Sequence, residues 1–137
     1  MTDKIQNEII DEFAMFDDWL DKYDYIISLS ESLPEIDPAK RTDTYLIEGC
    51  QSRVWVSSEL KDGKMHYTAD SDAIITKGII ALLIRVMNGR TPDEAAHIDL
   101  YFIDQIGLGE NLSPTRSNGL RAMIAQMKLD ALVFTQK

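Results

Sequence analysis

The chain has 137 residues, 45% hydrophobic and 27% charged, which suits one domain around one hydrophobic core. A formal net charge of −9 argues against a nucleic-acid backbone or an anionic membrane surface as partner. Cys50 is the single cysteine, so an internal disulfide framework is excluded.

The charge is unevenly spread. Residues 1–48 carry thirteen acidic and four basic side chains, whereas residues 49–137 carry ten of each. The whole excess therefore lies upstream of Cys50, either as solvated helix faces or as a surface that steers a basic partner. The start, Met1-Thr2-Asp3-Lys4, has no basic region leading into an apolar run, which points to a cytoplasmic chain. The most apolar stretch, residues 73–87, is interrupted by Lys77 and Arg85 and reads as a buried helix, not a membrane span.

In chain order, Ile5, Ile9, Phe13 and Phe16 fall at helical spacing between acids, which predicts an amphipathic first helix. Asp17 is placed to cap a second, with Leu20, Tyr23, Ile26, Ile27 and Trp19 turned inward, ending at Leu33-Pro34. A loop with Pro34 and Pro38 runs to about Asp43. Tyr45-Leu46-Ile47 is a short strand candidate. Residues 54–60 alternate as a second strand, with Val54 and Val56 on one face and Trp55 on the other. Asp62-Gly63 is a hairpin signal, and Met65, Tyr67 and Ala69 form the return strand. Ser71 or Asp70 is placed to cap the apolar helix that ends at Asn88-Gly89. Thr91-Pro92-Asp93-Glu94 opens a short helix, and residues 99–106 form another short turn, broken by Gly107-Leu108-Gly109. Ser113-Pro114 opens the last helix, with Leu120, Met123, Ile124, Met127 and Ala131 on one side. Gly78 and Gly119 lie inside helices, where glycine is unfavourable unless another element packs closely against it. The expected fold class is α+β, with helices packed on a small antiparallel sheet of about three strands.

Little conventional chemistry is visible. His66, His97 and Cys50 lack metal-ligand spacing, so no metal site is expected. No phosphate-binding loop, dinucleotide fingerprint or nucleophile elbow appears, so no cofactor site is expected either. Arg116 lies in the first turn of its helix, where positive charge opposes the helix dipole; it is either a solvated side chain or one held there by a contact. Cys50 also has two readings. A lone cytosolic cysteine behaves as a small buried hydrophobe. Here, however, it sits between two predicted strands, follows Gly49, a hinge candidate, and is close to Ser52 and Arg53. A cation or donors beside a thiol raise its thiolate fraction. No general base is visible beside it, so self-contained cysteine catalysis does not fit. A thiol that another protein approaches does.

Three separated motifs carry a resemblance. They are Gly49-Cys50-x-Ser52-x-Val54-Trp55, then Ser71-Asp72-Ala73 followed by Lys77-Gly78, then Leu112-Ser113-Pro114-Thr115-Arg116 followed by Gly119-Leu120 and Met123. In this order and spacing the chain resembles the SufE/CsdE family of sulfur acceptors over nearly its whole length. The resemblance implies the α+β fold shared with IscU-like iron–sulfur scaffold proteins. It implies that Cys50 accepts sulfur from a cysteine desulfurase of the SufS or CsdA kind, stimulates that enzyme, and relays the sulfur to iron–sulfur cluster assembly on a SufBCD-like scaffold. Pyridoxal phosphate would belong to the desulfurase, not to this chain, which would act as a partner and not as an enzyme, a monomer or weak homodimer. Gly49, Ser52, Arg53, Asp72 and Arg116 become candidates for holding the Cys50 loop or touching the partner. The competing readings are a redox-sensing single-cysteine protein and a CsdE-like relay to another sulfur pathway.

Overall fold

The computed structural model of the chain describes residues 3–47, 52–112 and 114–136. Asp3 begins the first helix: its carboxylate accepts the Gln6 backbone N–H at 3.2 Å, and α1 runs over Lys4–Ala14. Ile9 and Phe13 are buried on its inner face, as the spacing predicts. The second cap is Asp18, not Asp17. Its carboxylate accepts the Asp21 N–H at 2.9 Å, and α2 runs over Trp19–Leu29. Ile26 is the fully buried residue of α2, whereas Leu20 points outward and is 75% exposed, against the inward expectation. Six residues of separation place Leu20 about 120° round the helix from Ile26. A 3₁₀ turn, Ser30–Ser32, then leads to Leu33-Pro34.

The sheet is a hairpin of β1, Val54–Lys61, and β2, Lys64–Ser71. Val54 pairs with Ser71, and the register continues to Lys61 opposite Lys64. Asp62 and Gly63 both adopt positive φ, 53° and 77°, which a two-residue hairpin turn of matching twist requires. The sheet has two strands, not three. Residues Asp43–Tyr45 form a 3₁₀ turn, and the expected first strand is reduced to one bridge, Leu46 with Trp55.

The reason is the path of the segment before it. Glu35 bridges to Ala69 on the free edge of β2, whereas Leu46 bridges to the free edge of β1. The chain must cross one face of the hairpin between these points, so it meets β1 only at the end of its run. This crossing also revises the expected alternation of β1. Trp55 is 7% exposed, buried along with Val54 and Val56, because the crossing segment covers the face that would otherwise meet water.

The inner face packs on helices. α3, Ile74–Met87, is buried along most of its length. Its N-cap position is Ala73, not Ser71 or Asp70, because both of those residues are still extended in β2. The Ser71 hydroxyl instead accepts the Ala73 N–H at 3.2 Å, just ahead of the helix. α2 approaches α3 at Gly78, where an added Cβ would lie 2.0 Å from the Ile26 carbonyl oxygen. α4, Pro92–His97, has the full capping box of Thr91 and Glu94. α5, Phe102–Gln105, is followed by Gly107 at φ 76°. Gly107 does not end helical structure as expected; it starts a further turn, α6, Leu108–Asn111. α7, Pro114–Thr135, closes the fold, with Leu120, Met123, Met127 and Ala131 buried. Gly119 is buried within it. Tyr67 of β2 ties the sheet to α7 through a 2.8 Å hydrogen bond from its hydroxyl to the Met127 carbonyl. Among the described residues no helix is long and apolar enough to cross a membrane.

Candidate functional site

Cys50 and Gly49 lie outside the described residues, but the two stems that carry them are described, and both are fixed. On the upstream side the Ile47 N–H donates to the Val54 carbonyl at 2.8 Å, and Leu46 bridges Trp55. Residues 48–53 are therefore an excursion whose two ends are brought together by backbone pairing.

The downstream stem is held beyond the regular end of the sheet. The Arg53 N–H donates to the Asp72 carboxylate at 3.1 Å. The Arg53 carbonyl accepts the Asp72 N–H at 3.2 Å and the Ser71 hydroxyl at 2.7 Å. Arg53 and Asp72, from the first and second motifs, are thus joined through the backbone of one and the side chain of the other. Asp72 holds this place because β2 ends at Ser71 and the chain must turn into α3; its carboxylate reaches back over the turn. The Asp72 and Arg53 side chains face solvent, and Ser52 is half-buried in a bend. Arg116 falls in the first turn of α7, and its side chain lies outside the described set.

One step along the sheet is a cluster that the motifs only partly signal. Trp55 is paired in register with Asp70. The Arg41 guanidinium lies over the Trp55 ring, 4.7 Å from its centroid, and its Nε is 3.3 Å from the Asp70 carboxylate. Lys77 reaches the other Asp70 oxygen at 3.2 Å. Arg41 comes from the Pro-containing loop and belongs to none of the three motifs. Its signal in the sequence was weak: one cation in a loop before a strand whose alternate face carries a tryptophan. Farther along the same face, Lys40 pairs with Glu59 at 3.1 Å and lies near the Tyr45 ring, 5.7 Å from its centroid. The hydrogen bond between them holds Glu59 below the usual carboxylate range and raises Lys40.

Chemically, this arrangement presents a short loop on a fixed two-sided stem with cations and carboxylates around it. His66 pairs in register with Glu59, five residues from Val54, or about 17 Å along the strand, too far to serve the loop as a base. Among the described residues no group of three His, Cys, Asp or Glu side chains is placed to hold a metal ion.

Fold and site together define a small α+β protein that displays one cysteine-bearing loop between a sheet edge and a strand. The chain matches the family model described as SufE, the Fe-S metabolism associated domain, over residues 7–131, and it belongs to that family. An uncharacterized SufE-like protein of Rhizobium etli is 40% identical over 132 residues, covering 93% of this chain and 89% of that protein. Another from Synechocystis is 32% identical over 127 residues, covering 93% and 80%. In fold, the solution structure of a hypothetical protein from Thermus thermophilus superposes with a TM-score of 0.81 at 18% identity, covering all of both chains.

Proposed function

We propose that this chain is a sulfur acceptor whose Cys50 takes persulfide sulfur from a cysteine desulfurase, raises the turnover of that enzyme, and passes the sulfur toward iron–sulfur cluster assembly. The observation that supports it most is the fixed stem at Arg53 and Asp72. Two motifs far apart in sequence converge on the stem of the one cysteine loop, and the family they belong to is associated with iron–sulfur metabolism.

The transfer is thiol exchange. The Cys50 thiolate attacks the outer sulfur of the partner's persulfide, a new S–S bond forms on Cys50, and the bond between the two donor sulfurs breaks. The partner's inner sulfur leaves as a thiolate and takes up the proton that Cys50 gave up. No net oxidation occurs, and one thiol on this chain is enough. The pyridoxal phosphate that frees sulfur from cysteine belongs to the desulfurase. The distance of His66 from the loop fits this division, because the acceptor must present its thiol and need not activate a substrate of its own.

Stimulation follows from the same step, since removing the persulfide frees the enzyme for its next cycle. The test is Cys50→Ser in a desulfurase assay containing free cysteine. The expected result is loss of stimulation to the level of desulfurase alone. Full stimulation by Cys50→Ser would overturn the proposal.

A further inference from the structure

The segment that crosses the hairpin has the build of a strap. It is fastened at both edges of the sheet. At the first, the Ile36 N–H donates to the Ala69 carbonyl at 3.0 Å and the Ala69 N–H to the Pro34 carbonyl at 2.9 Å. At the second, Leu46 and Ile47 pair with Trp55 and Val54. Between these points it is two 3₁₀ turns, Pro38–Lys40 and Asp43–Tyr45, resting on the sheet through side chains. Beneath its second end the packing is open. Grooves of about 280 and 470 Å³ flank Leu46 between the strap and α7, lined by Thr44, Gln126 and Leu129 among others. The strap's end is therefore held against β1 and is not wedged between β1 and α7.

We infer that Arg41 is a positioning residue for the Cys50 loop: by clamping the strap on Trp55 and Asp70 it fixes the upstream stem and so limits how far the loop extends. The inference rests on Cys50 being the acceptor thiol.

The two stems are unequal. The downstream one continues an eight-residue strand and carries three hydrogen bonds at Arg53. The upstream one is a single bridge and one backbone hydrogen bond at the end of a strap without extended ladder structure of its own. Segments with few buried contacts and short ladders open first. Releasing Leu46 and Ile47 would lengthen the free excursion from its present closure at Ile47 back toward the strap.

Arg41 is the contact that decides this. Its planar guanidinium does two things at once, stacking on the indole and pairing with the carboxylate, which a lysine ammonium does less well. Trp55 is also the bridge partner of Leu46, so the stacked residue and the paired residue are the same. The Arg41 side chain is 42% exposed and that of Asp70 13%, so the clamp is open to competition from a docking surface on its cationic side.

The test uses the full chain without any desulfurase, so its outcome does not depend on the sulfur-transfer reading. Amide exchange by NMR at Ile47 and alkylation of native Cys50 by iodoacetamide are compared for wild type, Arg41→Gln and Arg41→Lys. Arg41→Gln should exchange Ile47 and alkylate Cys50 at least several-fold faster, with exchange at Ile80 and Leu83 of α3 unchanged and Arg41→Lys intermediate. Unchanged Ile47 exchange would overturn the clamp. Faster Ile47 exchange without faster alkylation would overturn its link to Cys50. Equal acceleration at Ile80 and Leu83 would make Arg41 merely structural and also overturn it. A wild-type protein that takes no persulfide while passing these tests would instead count against the acceptor reading alone.

Discussion

At the residue scale, Glu12 shows how polar side chains tie the helices around the site. Arg85 of α3 donates to both of its oxygens, at 2.9 and 2.6 Å, and the Tyr25 hydroxyl of α2 donates to one of them. Three helices thus meet on one carboxylate. The Arg85 hydrogen bonds hold Glu12 below its ordinary range against the desolvation that would raise it. Tyr25, partly buried and bonded to that carboxylate, is pushed up to about 12. Glu12→Gln removes the charge and one good acceptor while keeping the shape. Because the pair is about one-third exposed, the expected loss is modest, roughly 1 kcal/mol, read as a lower urea midpoint with an unchanged slope. No change in midpoint would mean that this network adds nothing beyond packing. Its partners were not legible in the sequence, because a pairing between residues 12, 25 and 85 depends on how three helices dock. Gln6 is a similar case. It is 1% exposed, yet its amide is fully used, donating to Asp3 and to the Asp99 carbonyl and accepting the Phe102 N–H.

At the element scale, α2 and α3 set the framework from which the site is built. Gly78 is required by distance: its α-carbon faces the Ile26 backbone so closely that a methyl group would overlap the carbonyl oxygen. Gly78→Ala therefore forces the two helices apart. It should destabilise the protein by about 1–3 kcal/mol, despite alanine's better helix propensity. A thermal midpoint equal to or above wild type would show that the helices can separate freely. This close approach was legible as a glycine inside an otherwise apolar helix, and the hairpin was legible from Asp62-Gly63. The cap of α2 was read one residue off, at Asp17 instead of Asp18, and at the start of α3 the strand ran further than expected. Ser71 and Asp70 are good caps locally, but the ladder with β1 claims them first. The third strand failed for a related reason. Tyr45-Leu46-Ile47 has the composition of a strand, but the crossing over the outer face of the hairpin leaves it one bridge long. Of the candidate site, the join of Arg53 and Asp72 agrees with two motifs, and Arg41 was missed because a lone loop arginine has no periodicity to reveal it.

At the scale of the whole molecule, the excess of acid upstream of Cys50 must coexist with carboxylates that are bound in the fold. Desolvation works to raise Asp3, but hydrogen bonds from Gln6 and the Arg90 charge outweigh it and lower it. Glu12, Glu59 and Glu94 are also lowered, by Arg85, by Lys40 and by the Thr91 cap respectively. A carboxylate whose folded value lies below its unfolded value stabilises the fold above the unfolded value, and that contribution is lost as pH falls through the folded one. The reference values here are 3.8 for Asp3 and 4.5 for the glutamates. The urea midpoint should therefore vary little from pH 7 to 5 and fall below about pH 4.5. A midpoint that instead rose from pH 5 to 3 would mean that relief of repulsion among the acidic residues outweighs these bound carboxylates. The same asymmetry of charge leaves the acidic half with the strap and the upstream stem, and the neutral half carries the downstream stem.

The central claim is that sulfur comes to rest on one atom of this chain. The direct measurement is the intact mass of the protein after incubation with a cysteine desulfurase and free cysteine under non-reducing conditions, with the modified peptide then located by fragmentation. A gain of one sulfur atom confined to Cys50, removed by a thiol reductant and absent in Cys50→Ser, is the predicted result. An unchanged mass at Cys50 while the desulfurase itself carries a persulfide would contradict it.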